Sequence, residues 1–239
     1  MVETNKIYHA DCYDLIKQIP DKSIDCIYTD IPYLHMQGGS GSGALAKRIK
    51  TKSQGIIAIS NGIDFKILDE FVRVMKKINC FIWCSKLQIF DILKYFVADL
   101  KCNFEVLTWC KTNPTPQINN SWLPDVEYCL YFRESGVPLN DGYHLKSKWY
   151  SSAININDKN MFNHPTIKPL DLVKRHLRHT TQADDVILDP FIGSGTTAIA
   201  CKETNRQYIG IEINTEYHKI AVDRTNNINA KGQVSFVTM

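Results

Sequence analysis

No stretch of the 239 residues is apolar for long enough to cross a bilayer, and the N-terminus has no hydrophobic signal core, so the chain is expected to stay in the cytoplasm with no membrane partner. No CxxC pair occurs among the eight cysteines. The nearest two, Cys80 and Cys84, have three residues between them and no second close pair, which argues against zinc, and no metal ligands are expected. Most cysteines fall in apolar runs and read as reduced core residues of a cytosolic protein. A strong charge of one sign is missing as well: 28 Lys and Arg against 25 Asp and Glu leave +3, a total that does not announce a nucleic-acid binder. Internal repeats and a second hydrophobic unit are also lacking. With 44% apolar and 10% aromatic residues, the expectation is one folded domain over 1–239.

Charge is present in clusters. Lys47, Arg48, Lys50 and Lys52 form one; Lys168, Lys174, Arg175 and Arg178 form another. Between them the hydrophobic pattern alternates strands and helices. Strands are expected at Lys6 to His9, Ile24 to Thr29, 79–84, 103–109, 128–132, 186–189 and 207–213. Helical faces are expected at Ile67, Leu68, Phe71 and Met75, and at Ile89, Phe90, Leu93, Phe96, Val97 and Leu100. A third is Leu170, Val173 and Leu177, with Lys174, Arg175 and Arg178 turned away; two more helices follow Ser194 and Asn214, the latter a candidate N-cap. From Arg133 to His164 no periodicity stands out. Strand–helix alternation of this kind implies an α/β fold around a mostly parallel, twisted sheet with helices on both faces.

Two stretches carry chemistry. YTDIPY (28–33) ends the second strand, the place where loops of open α/β sheets gather around ligands, and places Asp30, Ile31, Pro32 and Tyr33 there. It runs into GGSGSG (38–43) and the first basic cluster, so residues 34–60 read as a flexible basic loop. DPFIGSGTT (189–197) follows a strand and opens a helix. It lacks the lysine of a phosphate loop and misses the dinucleotide GxGxxG spacing by one. Glu212, at the end of the next strand, is placed to accept ribose hydroxyls. A glycine turn plus this acid implies a nucleoside-bearing cofactor without a pyrophosphate.

Together, YTDIPY, DPFIGSGTT and Glu212 resemble the amino-group DNA methyltransferases, whose motifs are a DPPY tetrapeptide and an FxGxG loop. The catalytic motif comes first here and the cofactor loop last, as in the β class of that family, of restriction-modification or phage type. The likeness runs from HADCYDLIKQIP through LTWCKTNPTP and EYCLYF to HPTIKPLDLVKRHL and EINTEYHKIA. It implies a Rossmann-like fold with permuted motif order. S-adenosyl-L-methionine would be the cofactor, shaped by Asp189, Phe191, Gly193, Gly195 and Thr196, with Glu212 on its ribose and Asp11 near its adenine. His164, Thr166 and Lys168, in HPTIKP, would approach its methionine part. Residues 164–226 would form the cofactor-binding part and 111–163 a short target-recognition region. The Lys6 to His9 strand would lie beside the last strand, joining the chain ends in space.

The implied reaction moves a methyl group from a sulfonium to the exocyclic amino nitrogen of adenine in double-stranded DNA. Asp30 would accept one amine N–H and the Ile31 carbonyl the other, which lets isoleucine replace the second residue of DPPY; Pro32 biases the backbone, and a flipped base would stack on Tyr33. Lys47, Arg48, Lys50, Lys52, Arg175 and Arg178 are candidate phosphate contacts, and Lys111 and Asn113 begin the region expected to read bases. The short recognition region leaves room for dimer assistance, and the family type implies a cognate restriction endonuclease as functional counterpart. Cytosine amino methylation is the nearest alternative. RNA methylation lacks an RNA-binding module, protein-amide methylation would reverse the motif order, and an inactive homologue would explain the departure at Ile31.

Overall fold

The computed structural model describes residues 2–34, 62–116, 122–140, 142–154 and 167–227. Its frame is an eight-stranded sheet: β1 (Lys6–His9), β2 (Cys26–Asp30), β3 (Asn79–Cys84), β4 (Asn103–Lys111), β5 (Val126–Arg133), β6 (Trp149–Ser152), β7 (Val186–Asp189) and β8 (Gln207–Glu212). The spatial order is β1-β8-β7-β2-β3-β5-β4-β6. Neighbouring pairs are parallel except at β5, which runs against both β3 and β4. Every residue of β3 is buried, as befits a central strand covered on both faces.

Among the described residues, six α-helices cover the sheet: α1 (Cys12–Leu15), α2 (Ile67–Val74), α3 (Ile89–Leu93), α4 (Leu170–Thr180), α5 (Thr196–Glu203) and α6 (Thr215–Asn226). Strand alternation sorts the core into two layers. Ile27, Cys80 and Ile82 face α1, α2 and α3, whereas Cys26, Tyr28, Phe81 and Trp83 face α4 and α5. The first six residues of α5, Thr196 to Cys201, are all buried, where the helix packs between α4 and α6. Among the described residues, no helix is long and apolar enough to cross a membrane.

Three expectations need correction. β2 begins at Cys26, since Ile24 makes an isolated bridge to Met75 instead of entering the ladder. Of the face expected around α3, Phe96 is buried, but Phe90 is 74% and Leu100 40% exposed, and Ile92 takes the core position. A π-helical turn over Lys94–Asp99 adds a residue to the turn and breaks the 3.6-residue phase before Leu100, while Phe90 precedes it and flanks the face made by Ile89, Ile92 and Phe96. The segment after Arg133 contains β6 and a 3-10 turn at Tyr143–Leu145, too short to show a period.

The first strand pairs with the last described one, as expected. β1 lies parallel to β8 in the register Lys6 to Ile209 through His9 to Glu212, and Ala10 N–H extends the ladder to the Glu212 carbonyl at 3.1 Å. From β7 the chain crosses to β8, away from β2, while β2 leads to β3 on the other side. The switch point of the sheet therefore lies between β7 and β2, where a ligand crevice belongs.

Candidate active site

Four neighbouring strands end in acids at that edge: β1 before Asp11, β8 at Glu212, β7 at Asp189 and β2 at Asp30. Around them opens a cavity of about 750 Å³, lined by Asp11, Asp30, Tyr33, Lys168, Phe191 and Glu212 among others. Each acid has a different local task. Asp11 caps α1, its Oδ1 accepting the Tyr13 N–H at 2.8 Å. Asp189 is buried beneath the loop, accepting the Phe191 N–H at 3.2 Å and the Thr197 hydroxyl at 2.6 Å; burial pushes its carboxyl up to about 7. Glu212 accepts the Gly193 N–H at 3.0 Å on one oxygen and the Asn214 N–H at 2.7 Å on the other. Burial pushes its carboxyl up against those two bonds.

One glycine of the loop, Gly195, serves its packing. Gly195 has φ +83, and a Cβ there would lie 3.0 Å from Ala221 Cα in α6, so the backbone approaches that helix closely. Arg224, 6% exposed in the same helix, donates to the Ser194 carbonyl at 2.5 Å and reaches the Thr196 hydroxyl at 3.5 Å.

Asp30 stands at the β2 end with Ile31 beside it, whose side chain is 1% exposed and whose N–H donates to the Trp83 carbonyl at 3.2 Å. Buried Gln88 donates to the Pro32 carbonyl at 2.9 Å while its own oxygen accepts from the Ser85 N–H and hydroxyl, so the turn is held from α3. Asp30 Oδ2 accepts from Lys168 Nζ at 2.5 Å, and that ammonium also reaches the Tyr33 hydroxyl at 3.3 Å and Glu127 Oε2 at 3.0 Å. Burial raises the Asp30 carboxyl, with Lys168 opposing it. For Glu127 burial also works against the charge, but Lys168 and Lys111 outweigh it and hold the carboxyl at about 2.

The sequence-derived site residues thus divide. Asp11, Asp30, Ile31, Pro32, Tyr33, Lys168, Asp189, Phe191, Gly193, Thr196 and Glu212 line one cavity, and Gly195 supports its loop from behind. Lys168 lines that cavity and is paired with the catalytic motif. Lys111 is not a free surface cation: its Nζ is 2.7 Å from Glu127 Oε1 and its side chain is 14% exposed. Asn113 pins a loop, accepting the Ile154 N–H at 2.6 Å. Arg175 donates to the Trp149 carbonyl at 3.2 Å and stacks over Tyr150. Arg178 is exposed, but it lies in the last turn of α4, which packs where β3 starts: Asn79 donates to the Thr180 carbonyl at 3.0 Å. That is the edge of the sheet opposite Asp30. Lys47, Arg48, Lys50, Lys52, His164 and Thr166 lie outside the described residues.

Residues 24–223 match the family model for the N6- and N4-amino type described as DNA methylase. The chain belongs to the amino DNA methylases. It is 31% identical to the type II methyltransferase M2.LlaDCHI of Lactococcus lactis subsp. cremoris, over 92% of this chain and 88% of that one. It is 30% identical to M2.DpnII of Streptococcus pneumoniae, over 91% and 88%. Among solved structures, the M1.HpyAVI–SAM complex superposes with a TM-score of 0.67 at 26% identity, covering 92% of this chain and 98% of that one. The PvuII DNA methyltransferase, cytosine-N4-specific, shares the fold at a TM-score of 0.67 and 17% identity, covering 93% and 86%.

The cofactor of this methylase is S-adenosylmethionine, and the cavity's chemistry fits it. Asp11, Asp30 and Glu212 make the walls acidic and the lining lysine is already paired, which suits a sulfonium cation and repels a pyrophosphate. Each Glu212 oxygen keeps a lone pair beyond its backbone bond, enough for a ribose diol. Glu127, Gln88 and Arg224 escaped the sequence reading. Glu127 opens the EYCLYF strand as one more acid, and only the antiparallel run of β5 brings that end beside Asp30.

Proposed function

We propose that this methylase transfers the methyl group of S-adenosylmethionine to the N6 amino nitrogen of adenine in double-stranded DNA. The observation carrying the reading is Asp30 at the end of β2, followed by the Pro32–Tyr33 turn and facing the same cavity as Glu212 and the glycine loop. The bound cofactor supplies an electrophilic methyl group. Asp11, Phe191, Gly193 and Glu212 hold its nucleoside part, and Asp30 and Tyr33 receive the base.

The target nitrogen is a weak nucleophile because its lone pair is delocalised into the ring. Asp30 accepts one of its hydrogens and the Ile31 carbonyl the other, favouring the tetrahedral nitrogen that forms as transfer proceeds. The Ile31 side chain is buried in the core, so isoleucine at this position leaves the backbone oxygen available for that work. Flipping the base costs on the order of a few kcal/mol, and stacking on Tyr33 returns about 1–3 kcal/mol. The transferred amine then loses its proton to Asp30 or water, with no covalent enzyme intermediate. All cysteines but Cys110 are buried, and the chemistry asks nothing of them.

Adenine is favoured over cytosine by the aspartate that opens the tetrapeptide, and the basic stretch from Lys47 to Lys52 supplies phosphate contacts. The test is transfer of a labelled methyl group to duplex DNA of mixed sequence, followed by nucleoside identification. N6-methyladenine is the expected product; N4-methylcytosine would reassign the base, and label confined to RNA or protein would overturn the reading.

A further inference from the structure

In this structure one oxygen of the carboxylate that would receive the target amine, Asp30 Oδ2, is already held by an ammonium. Lys168 Nζ lies 2.5 Å from Asp30 Oδ2 and 3.0 Å from Glu127 Oε2, and the residue is 7% exposed. Its charge also faces the rings of Trp83 at 5.1 Å and Tyr33 at 5.6 Å. Glu127 Oε1 is in turn 2.7 Å from Lys111 Nζ, so Asp30, Lys168, Glu127 and Lys111 form a string of alternating charge that sums to zero.

A buried ammonium paired with one carboxylate cannot give it up without being left uncompensated; with two carboxylates it can. We propose that Glu127 is a positioning residue for methyl transfer: it is the second seat of Lys168, so that the ammonium stands in for the target amine while DNA is absent and yields Asp30 when the amine arrives. The inference rests on the amino-transfer reading above. The stand-in is useful because a buried carboxylate facing no partner would take up a proton, losing the acceptor that the reaction needs. Glu127 suits the task because its side chain is 13% exposed and held by Lys111, so it cannot swing into solvent.

The test is E127Q in the full chain, alone and combined with K168M, assayed at mildly alkaline pH on duplex DNA. With the amide in place Lys168 is left to Asp30 alone. KM for DNA should rise and kcat fall, together by about tenfold or more, while S-adenosylmethionine affinity measured by titration stays near that of the parent. Adding K168M removes the obstructing cation, and the double variant should outpace E127Q. A merely structural glutamate predicts the reverse, a double variant no faster than the single. Parent-like kinetics for E127Q, or no relief from K168M, overturns the proposal. Should E127Q fail to fold, E127D carries the same test: the charge is kept but drawn back by a methylene, KM for DNA rises, and K168M relieves it or the proposal fails. A parent chain that methylates no DNA refutes the amino-transfer reading itself, and this inference with it.

Discussion

Asp30 and Lys168 are 138 positions apart and share one proton-rich contact, so their substitutions should fail in different ways. Asp30→Ala removes the acceptor of the target amine but leaves Lys168 paired with Glu127. Transfer is expected to fall by about a hundredfold or more, with cofactor affinity nearly retained; a titration beside a transfer assay separates the two. Lys168→Met acts on the carboxylate itself. Burial already raises the Asp30 carboxyl and Lys168 pulls it down, so losing the lysine raises it further. A raised carboxyl is protonated over a wider acidic range, and the acid limb of kcat/KM should move to higher pH. A pH–rate profile whose acid limb stays in place would show that Asp30 is not the group being titrated. At Gly195 a side chain brings both a left-handed backbone penalty and a clash with Ala221. Gly195→Ala should cost about 2–4 kcal/mol in urea unfolding, even without cofactor.

At the scale of elements, the site depends on how α3 and α4 are seated. Gln88 ties the start of α3 to the Pro32 carbonyl at 2.9 Å. Gln88→Ala strands that carbonyl and the Ser85 donors, for about 1–3 kcal/mol, and should lower kcat more than cofactor binding because it loosens the catalytic turn alone. α4 is fastened to the sheet by His176, which is stacked on Phe81 and bonded through Nδ1 to the Tyr28 hydroxyl at 3.1 Å. Burial, with Arg175 and His179 adding to it, holds the imidazole down at about 3. A histidine whose folded value lies below its unfolded one contributes stability that is complete above the unfolded value and drains away as pH falls below it. Between pH 7 and pH 5 this amounts to about 2 kcal/mol. Denaturant unfolding at those two pH values should show that loss in the parent chain and a smaller one in His176→Phe.

For the molecule as a whole, net charge understates its expected attraction to DNA. Lys47, Arg48, Lys50 and Lys52 follow the catalytic turn in sequence, so replacing all four by glutamine should weaken DNA binding and flatten its salt dependence. The same change to Arg178, at the opposite edge of the sheet, should leave that slope alone. Filter binding across a salt series distinguishes them; an equal effect from Arg178 would place DNA on the wrong face for Asp30.

The amino-acid sequence determined seven of the eight described strands and most of the described helices by itself, because hydrophobic spacing reports which face of an element is buried. It also held the site's chemistry, since YTDIPY and DPFIGSGTT are contiguous and their glycines, proline and acids act through local backbone geometry. It was blind where period or distance failed. The π-turn after α3 re-phased a face that the 3.6-residue pattern had assigned, and β6 was too short to show a period. Lys111 and Lys168 looked like surface or cofactor cations, because charge in a sequence has no partner until the sheet supplies one. Strand order decided that: β5 runs antiparallel, so Glu127 comes to the edge where β2 ends, and α4 begins there and ends at the other. Which charge meets which carboxylate was therefore a property of topology, and the shortest of these pairs joins Asp30 to Lys168, 138 positions away.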